Sequence, residues 1–267
     1  ISAAAVGILH ESVLEITGRE ADLLARSTVQ PDLMRPREMP MLRELEAPRH
    51  YIDIELLQGN ALPATASDYY KLLTRLGDAR SGLLGPDWQL ESVGTLPYAV
   101  VESTERLAAI FAQLRRRPED ADLRSMALHQ AGIMAHYAQD LCQPLHTTVD
   151  HDGRARADGT SPATGIHRQV DGLLRAVSGK SLAGPSRVYE NLFEAVVSEL
   201  DQSHSQVDRV YQLAEDLEAL HRRGEMSRAV ERFARQRYER AVQFTADLIH
   251  TAWQKSQTLQ VPAWAGQ

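Results

Sequence analysis

The sequence has little of several features that define whole classes of protein. A single cysteine, Cys142, excludes an intrachain disulfide, which mildly favours a reducing compartment. No stretch approaches the roughly 18 consecutive apolar residues that a membrane-spanning helix needs. No Gly/Ser-rich or Pro-rich linker divides the 267 residues, so we expect one domain that covers the whole chain.

Strand signals are also scarce. Alternating Val, Ile and Thr patterns are nearly absent, whereas Leu, Ala, Arg and Glu recur at helical spacing along the chain. This predicts an all-α fold, a single-domain helical bundle. The helical patterns cover residues 8–26, 66–76, 99–116, 122–141, 186–221 and 227–253, and the tail 258–267 is expected to be loosely ordered.

An excess of positive charge is absent as well, since the formal net charge is -7. Without a basic footprint, no stable complex with nucleic acid is expected. An enzyme acting on an anionic substrate is not excluded, because bound zinc ions would add positive charge where that substrate lies. The small, apolar start of the chain is typical of the trimmed end of an export signal, so we expect an exported (periplasmic or secreted) protein. We also expect it to be a monomer.

The segment from His136 to His146 holds three candidate metal ligands. His136 and Asp140 are four residues apart in a helical run, so both side chains lie on one face of the predicted helix. Pro144 ends that helix, and His146 follows in the turn, where it can lie beside the other two. A lone His-x-x-x-Asp pair is more often a surface or capping interaction, so the metal interpretation depends on the combined set.

A second pair, His167 and Asp171, repeats the four-residue spacing at the start of another predicted helix. Imidazole nitrogen and carboxylate oxygen without a thiolate suit zinc at hydrolytic sites, where one ligand position stays open for water. The two pairs and His146 therefore predict a zinc site. Upstream, His10 is equally consistent with a surface histidine, and Asp32 beside a proline is by itself typical of a turn.

Taken together, these residues resemble the superfamily that joins bacterial zinc-dependent phospholipase C to the single-strand-specific fungal-type nucleases. The family pattern is His-x-x-x-Asp, five residues, His, a variable loop, and Gly-(Ile/Phe/Tyr)-His-x-x-x-(Asp/Glu), with Gln-Pro-(Leu/Met)-His inside it. This sequence has His136, Asp140, Gln143-Pro144-Leu145-His146, and Gly165-Ile166-His167 with Asp171. Two upstream segments are similar to nuclease segments, His50-Tyr51-Ile52-Asp53 and Pro31-Asp32-Leu33-Met34-Arg35. The resemblance covers residues 10–171 with large gaps.

The resemblance implies three zinc sites in an all-helical fold, and this sequence departs from the family pattern at the third. The first zinc would be held by Asp32, His50, His136 and Asp140, and the second by His146, His167 and Asp171. The third, shared through Asp140, would use His10 and the amine and carbonyl of the N-terminal residue. In the family that residue is a Trp about five residues before the first His, whereas here Ile1 lies nine residues before His10.

The chemistry expected from such ligands is the attack of a zinc-activated water on a phosphodiester. Asp32 would both bind zinc and orient this water as a base, which makes it the predicted catalytic residue. Seven or eight nitrogen and oxygen ligands for two or three ions leave coordination positions open. This favours catalysis over the alternative of a non-catalytic helical protein that zinc only stabilises.

Single-stranded nucleic acid is the favoured substrate. The last ligand is Asp171, as in the nuclease branch, where the phospholipase branch has Glu. Tyr51 and Asp53 match the pair with which the nuclease branch stacks a base and hydrogen-bonds the edge of that base. A Tyr in the core and an Asp that fixes a loop explain these two residues equally well. The apolar loop around Leu83 and Trp88 favours the alternative substrate, a phospholipid whose head group is hydrolysed.

Overall fold

The fold is described by a computed structural model for residues 17–80, 92–155, 160–177 and 184–262. Within these ranges the regular structure is helical, and the one isolated β-bridge joins Ile52 to Gly94. The all-α prediction is confirmed. In chain order the α-helices are α1 (Gly18–Ser27), α2 (Gln30–Leu33), α3 (Pro40–Glu46), α4 (Ala66–Arg80), α5 (Leu96–Arg116), α6 (Ala121–Cys142), α7 (Ile166–Ala176), α8 (Leu192–His204), α9 (Val207–Gln212), α10 (Ala214–Arg223) and α11 (Arg228–Lys255).

Helices α5 and α6 form the centre of the fold. The Asp120 side chain accepts hydrogen bonds from backbone N–H groups in the first turn of α6, and this cap begins the helix directly after α5. Helix α11 packs against both, and α1 packs against α6. Gly132 allows the close approach of α1, because a Cβ at this position would lie 2.5 Å from the Cβ of Ser27.

Buried apolar side chains form two clusters. The larger includes Leu107, Phe111, Met134, Leu141 and Phe244. The smaller includes Leu145, Ile166, Val210, Leu217 and Phe233. Helix α11 belongs to both clusters, since it supplies Phe233 to one and Phe244 to the other. The chain also passes from one cluster to the other just after α6, between Leu141 and Leu145.

The helical pattern over residues 186–221 is not one helix. It begins at Leu192 and is interrupted after His204 and again after Gln212. The reason is the division of the core: Leu192 and Leu200 are buried in the larger cluster, whereas Leu213 is buried in the smaller one. A straight helix could not bury both sets of side chains, so tertiary packing overrides the local periodicity.

The segment before α4 is held by backbone contacts on both sides. A 3-10 helix covers Ala47–His50, Tyr51 is extended, and a second 3-10 helix covers Ile54–Leu57. The Ile52 N–H donates to the His146 carbonyl at 2.8 Å. Gly94 adopts φ +87°, and a Cβ there would lie 2.1 Å from the Tyr51 carbonyl oxygen. Only glycine therefore permits this close approach.

The other predicted helices agree with the structure, each extended by a few residues at one or both ends. Residues 8–16 of the first pattern lie outside the described ranges. After α11, residues 259–262 have no regular secondary structure, and the last five residues of the predicted loose tail also lie outside. None of the helices in the described ranges combines the length and the apolar character that crossing a membrane requires.

Candidate metal centre

Three of the predicted ligands, Asp32, His50 and His136, come together from separate elements. Each offers one ligand atom, and these atoms lie within 4.8 Å of one another. Asp32 lies on the short helix α2, His50 ends a 3-10 helix, and His136 lies in the middle of α6. His50 is buried, with 2% of its side chain exposed, whereas 47% of the Asp32 side chain is exposed. The group is therefore buried on one side and open on the other.

Asp140 lies one helical turn after His136, on the same face of α6. Its Oδ2 is 3.0 Å from His50 Nδ1 and 3.2 Å from His136 Nε2. Its other oxygen, Oδ1, is 4.0 Å from His146 Nδ1. Asp140 therefore stands between the first group and the histidine that follows Pro144.

A second group consists of His146, His167 and Asp171, whose ligand atoms also lie within 4.8 Å of one another. The rings of His146 and His167 have centroids 4.8 Å apart, and His167 Nε2 is 3.4 Å from Asp171 Oδ2. Gly165, at φ +91°, precedes α7 and starts the helix that carries both His167 and Asp171. The predicted spacing of four places these two side chains on one face.

The Gln143 side chain makes two hydrogen bonds at the turn after α6. Its side-chain Oε1 accepts from the Leu145 N–H at 2.6 Å, which caps the 3-10 helix Pro144–Thr147. Its Nε2 donates to Asp171 Oδ1 at 3.0 Å. One amide thus fixes the turn that carries His146 and also orients a carboxylate of the second group.

Three histidines have one ring nitrogen fixed by the backbone. Nδ1 of His136, His146 and His167 lies 2.7, 2.5 and 3.3 Å from a carbonyl oxygen. These carbonyls belong to Thr28, His50 and His151. A carbonyl only accepts, so Nδ1 carries a hydrogen, and in the neutral ring Nε2 keeps its lone pair. This tautomer is the one that a metal-binding histidine needs.

In His50 the nitrogen that faces the ligand group is Nδ1 and not Nε2. Its Nδ1 faces Asp140, and its Nε2 lies 3.5 Å from Glu46 Oε1. Glu46 also accepts a short hydrogen bond from the Tyr137 hydroxyl, to which Arg49 Nε donates at 3.1 Å. The sequence analysis missed Glu46, although its spacing of four from His50 is the same signal that identified the other pairs. Glu46 is positioned to fix the orientation of the His50 ring.

Asp140 and the histidines around it stabilise each other's charged forms. Burial lowers the pKa of His50 and of His136, but the hydrogen bonds and charge of Asp140 outweigh it and leave both pKa values raised. Burial raises the pKa of Asp140, but the neighbouring His146 and His136 hold it well below its ordinary value. The pKa of His167 is lowered by burial and by the charge of His146. Asp140 is therefore an anion at neutral pH.

The distances and the donor types are those that a bound metal ion requires. Four donors about 2.1 Å from a tetrahedral ion lie roughly 3.4 Å apart. In the first group, His136 Nε2 and His50 Nδ1 are 3.0 Å apart, and each is within 3.2 Å of Asp140. In the second, His167 and Asp171 offer donors 3.4 Å apart. These residues could hold a metal ion in each group, and the nitrogen and oxygen donors suit the hydrolytic metals.

Both groups line one cavity of about 770 Å³. Tyr51 and Asp53, predicted to contact substrate, line the same cavity, as does His151, which its sequence context does not mark as a site residue. Burial and the charge of Glu55 raise the pKa of Asp53 to about 7. The predicted ligand His10 lies outside the described residues, and so does the apolar loop that contains Trp88.

Comparison with protein-family models finds no match for the chain, and searches of curated proteins and of solved structures find none either. The superfamily resemblance therefore remains a prediction from the motif residues. A function has to be argued from the geometry and chemistry of the cavity.

Proposed function

We propose that the chain is a zinc-dependent phosphodiesterase that cleaves single-stranded nucleic acid. One observation carries the proposal: two groups of histidine and carboxylate ligands face a single cavity and are linked by Asp140. Linked ligand groups of this kind are typical of sites in which two ions act on one phosphate.

The residues divide into two sets of ligands. Asp32, His50, His136 and Asp140 would hold one zinc ion, and His146, His167 and Asp171 would hold the other. Bound zinc lowers the pKa of a water molecule toward neutrality and neutralises charge on a phosphate. The second set has only three protein ligands, so it leaves a position for water or substrate. This favours an enzyme over a protein in which zinc only stabilises the fold.

Asp32 is suited to act on water because it is the most exposed ligand of its group. Its carboxylate can accept a hydrogen bond from a water molecule in the cavity and hold the oxygen lone pair toward phosphorus. Arg35 contacts the same carboxylate and also lines the cavity. Its guanidinium is paired with Asp32 and can therefore help to orient this carboxylate.

Two side chains favour a nucleotide as the substrate. Tyr51 is half-buried and lines the cavity, so part of its ring is accessible for stacking with an unpaired base. Asp53, with its pKa raised to about 7, can present either a protonated or an ionised carboxyl to the edge of that base. Stacking and edge recognition require a base outside a duplex, which is why we propose a single-stranded substrate.

A phospholipid is the second candidate substrate. Val29 lines the cavity and is 52% exposed, and Leu33 on the adjoining helix α2 is 69% exposed. Exposed apolar side chains beside an active-site cavity can contact the surface of a bilayer. In this alternative the same metal ligands would hydrolyse the phosphodiester of a lipid head group.

Hydrolysis assays with two substrates test the proposal. Protein purified without chelator is given single-stranded DNA or phosphatidylcholine vesicles, before and after zinc removal. We expect DNA cleavage that is lost on chelation and restored by zinc. Cleavage of the lipid alone would assign the phospholipase function, and zinc binding with neither activity would favour the structural alternative.

A substitution tests the role of Asp32. We expect Asp32→Asn to lower kcat on single-stranded DNA by about 100-fold, the order of general base catalysis. Asp22→Asn, at an exposed position of α1, is the matched control and should retain the wild-type rate. An Asp32→Asn rate within threefold of wild type would exclude the assigned role.

A further inference from the structure

Buried polar atoms without a hydrogen-bond partner are concentrated in residues that line the cavity. In the part of the chain that the structure describes, the buried side-chain nitrogen and oxygen atoms without a hydrogen-bond partner are His50 Nε2, Gln139 Nε2, Ser203 Oγ and Arg237 Nη1. All but Ser203 belong to residues that line the cavity. His50 Nε2 faces Glu46 Oε1 at 3.5 Å, so the atoms that remain for a ligand are those of Gln139 and Arg237. Buried polar groups are normally paired, so these two side chains point to a ligand that pairs them.

The unpaired atoms of Gln139 and Arg237 differ chemically from those of the metal ligands. An amide NH₂ and a guanidinium only donate hydrogen bonds, so a metal ion cannot satisfy them. They require an acceptor, and the positive charge of Arg237 favours an anion. A phosphate offers several oxygens in the geometry that a guanidinium binds best.

Arg237 is also the cation of the cavity whose charge is not compensated. Two arginines line the cavity, and the other one, Arg35, is paired with Asp32. Arg240, one turn along α11, is paired with the buried Glu199. Arg237 has no ion pair with any residue of the described ranges.

The two donors come from helices that pack against each other. Gln139 lies on α6 directly before the metal ligand Asp140, and Arg237 lies on α11 between two other cavity residues, Phe233 and Ala241. The donors therefore share a cavity with both ligand groups without belonging to either group. A substrate bound in this cavity could therefore contact the donors and the ligand groups together.

We propose that Arg237 and Gln139 bind a second phosphate of the substrate, that of a nucleotide next to the scissile phosphodiester. This inference rests on the proposed function and specifies its substrate. A nucleic acid repeats its phosphates along the chain, whereas phosphatidylcholine has only one. The subsite thus selects a polynucleotide over a lipid with a single phosphate.

Cleavage of matched dinucleotides tests the subsite. The substrates are the dinucleotide dTpdT and its derivatives with an added 5′- or 3′-terminal phosphate. We expect wild-type kcat/KM to be at least tenfold higher for one of the two phosphorylated forms, and Arg237→Met to reduce this ratio by about tenfold or more. Arg237→Lys and Gln139→Leu should each reduce it partly. Arg235→Met, at an exposed position of the same helix, should leave the ratio unchanged.

Calorimetric binding separates the subsite from the catalytic function. The probes are thymidine 3′,5′-bisphosphate and thymidine 5′-monophosphate, titrated into zinc-loaded protein. We expect the bisphosphate to bind at least tenfold more tightly, and Arg237→Met to remove this difference. If no DNA is cleaved but this difference is present and Arg237-dependent, the subsite stands and the nuclease function fails.

Three results would overturn the subsite. One is an equal loss for mono- and bisphosphate in Arg237→Met, and another is an unchanged ratio in both Arg237→Lys and Gln139→Leu. The third is a preference for vesicles of a phosphorylated phosphoinositide that depends on Arg237, with no preference among the dinucleotides. That last result would assign the second phosphate to a lipid head group.

Discussion

Replacing Glu46 with glutamine tests whether the His50 ring is oriented from outside the ligand set. Glu46 Oε1 lies 3.5 Å from His50 Nε2, on the opposite side of the ring from Asp140. Carboxylates that hydrogen-bond a metal-binding histidine typically contribute 10- to 100-fold in metal affinity. Because 3.5 Å is a long contact and the Glu46 side chain is 16% exposed, we expect the lower end, about tenfold or ~1.4 kcal/mol.

The assay is competition for zinc between the protein and a chromophoric chelator, with the visible spectrum of bound cobalt as a second readout. Glutamine keeps the size of the side chain and can still accept from Tyr137, so the fold should be preserved. Glu44→Gln is the control, because Glu44 lies on the same helix and is exposed. Equal zinc affinity in Glu46→Gln and wild type, or an equal loss in Glu44→Gln, would refute the reasoning.

Other predictions concern stability in the metal-free protein. Gly94→Ala should lower the free energy of unfolding more than Gly59→Ala does, by at least about 1 kcal/mol. Both glycines have positive φ, but only at position 94 would the added Cβ lie against backbone atoms. Equal losses for the two variants in urea unfolding would contradict this. Arg240→Leu removes the ion pair of the fully buried Glu199 and leaves its carboxylate only the hydrogen bond from Cys142 Sγ. This should cost about 3–5 kcal/mol by urea unfolding, and a loss below 1 kcal/mol would be the contrary result. Asp53 has a pKa of about 7 in the folded chain and an ordinary value of 3.8, so its contribution to the free energy of unfolding falls as pH rises between these values. The difference in Tm between Asp53→Asn and wild type should therefore grow as pH rises across that range and stay constant above it. A difference that is independent of pH would exclude the ionisation of Asp53 as its cause.

The sequence predicts those parts of the site that one local element determines. The spacing of four between His136 and Asp140 needs only a helix to place them together, and Pro144 needs only its missing N–H to end that helix. The assembly of each ligand group also requires tertiary contacts between separate elements. His50 joins His136 because backbone contacts hold its segment against the turn after α6, and spacing alone does not reveal that packing.

The residues that sequence analysis missed act across the fold. Glu46 has a recognisable spacing from His50, but its role depends on which ring nitrogen faces the ligand group. Gln139 and Arg237 are far apart in sequence, and only the packing of α6 against α11 brings them to one cavity. The break after His204 likewise follows from two separate cores. Local patterns cannot identify features that depend on how helices pack.

The most direct test of the metal centre is the zinc content of protein purified without chelator, compared with that of Asp140→Asn. Asp140 contacts histidines of both groups, so its charge is shared by the two proposed ions. We predict about two or more zinc ions per wild-type chain and a clear loss in the variant, which should remain folded. No stoichiometric metal in the wild type would contradict the account, as would an Asp140→Asn protein that retains both ions with unchanged affinity.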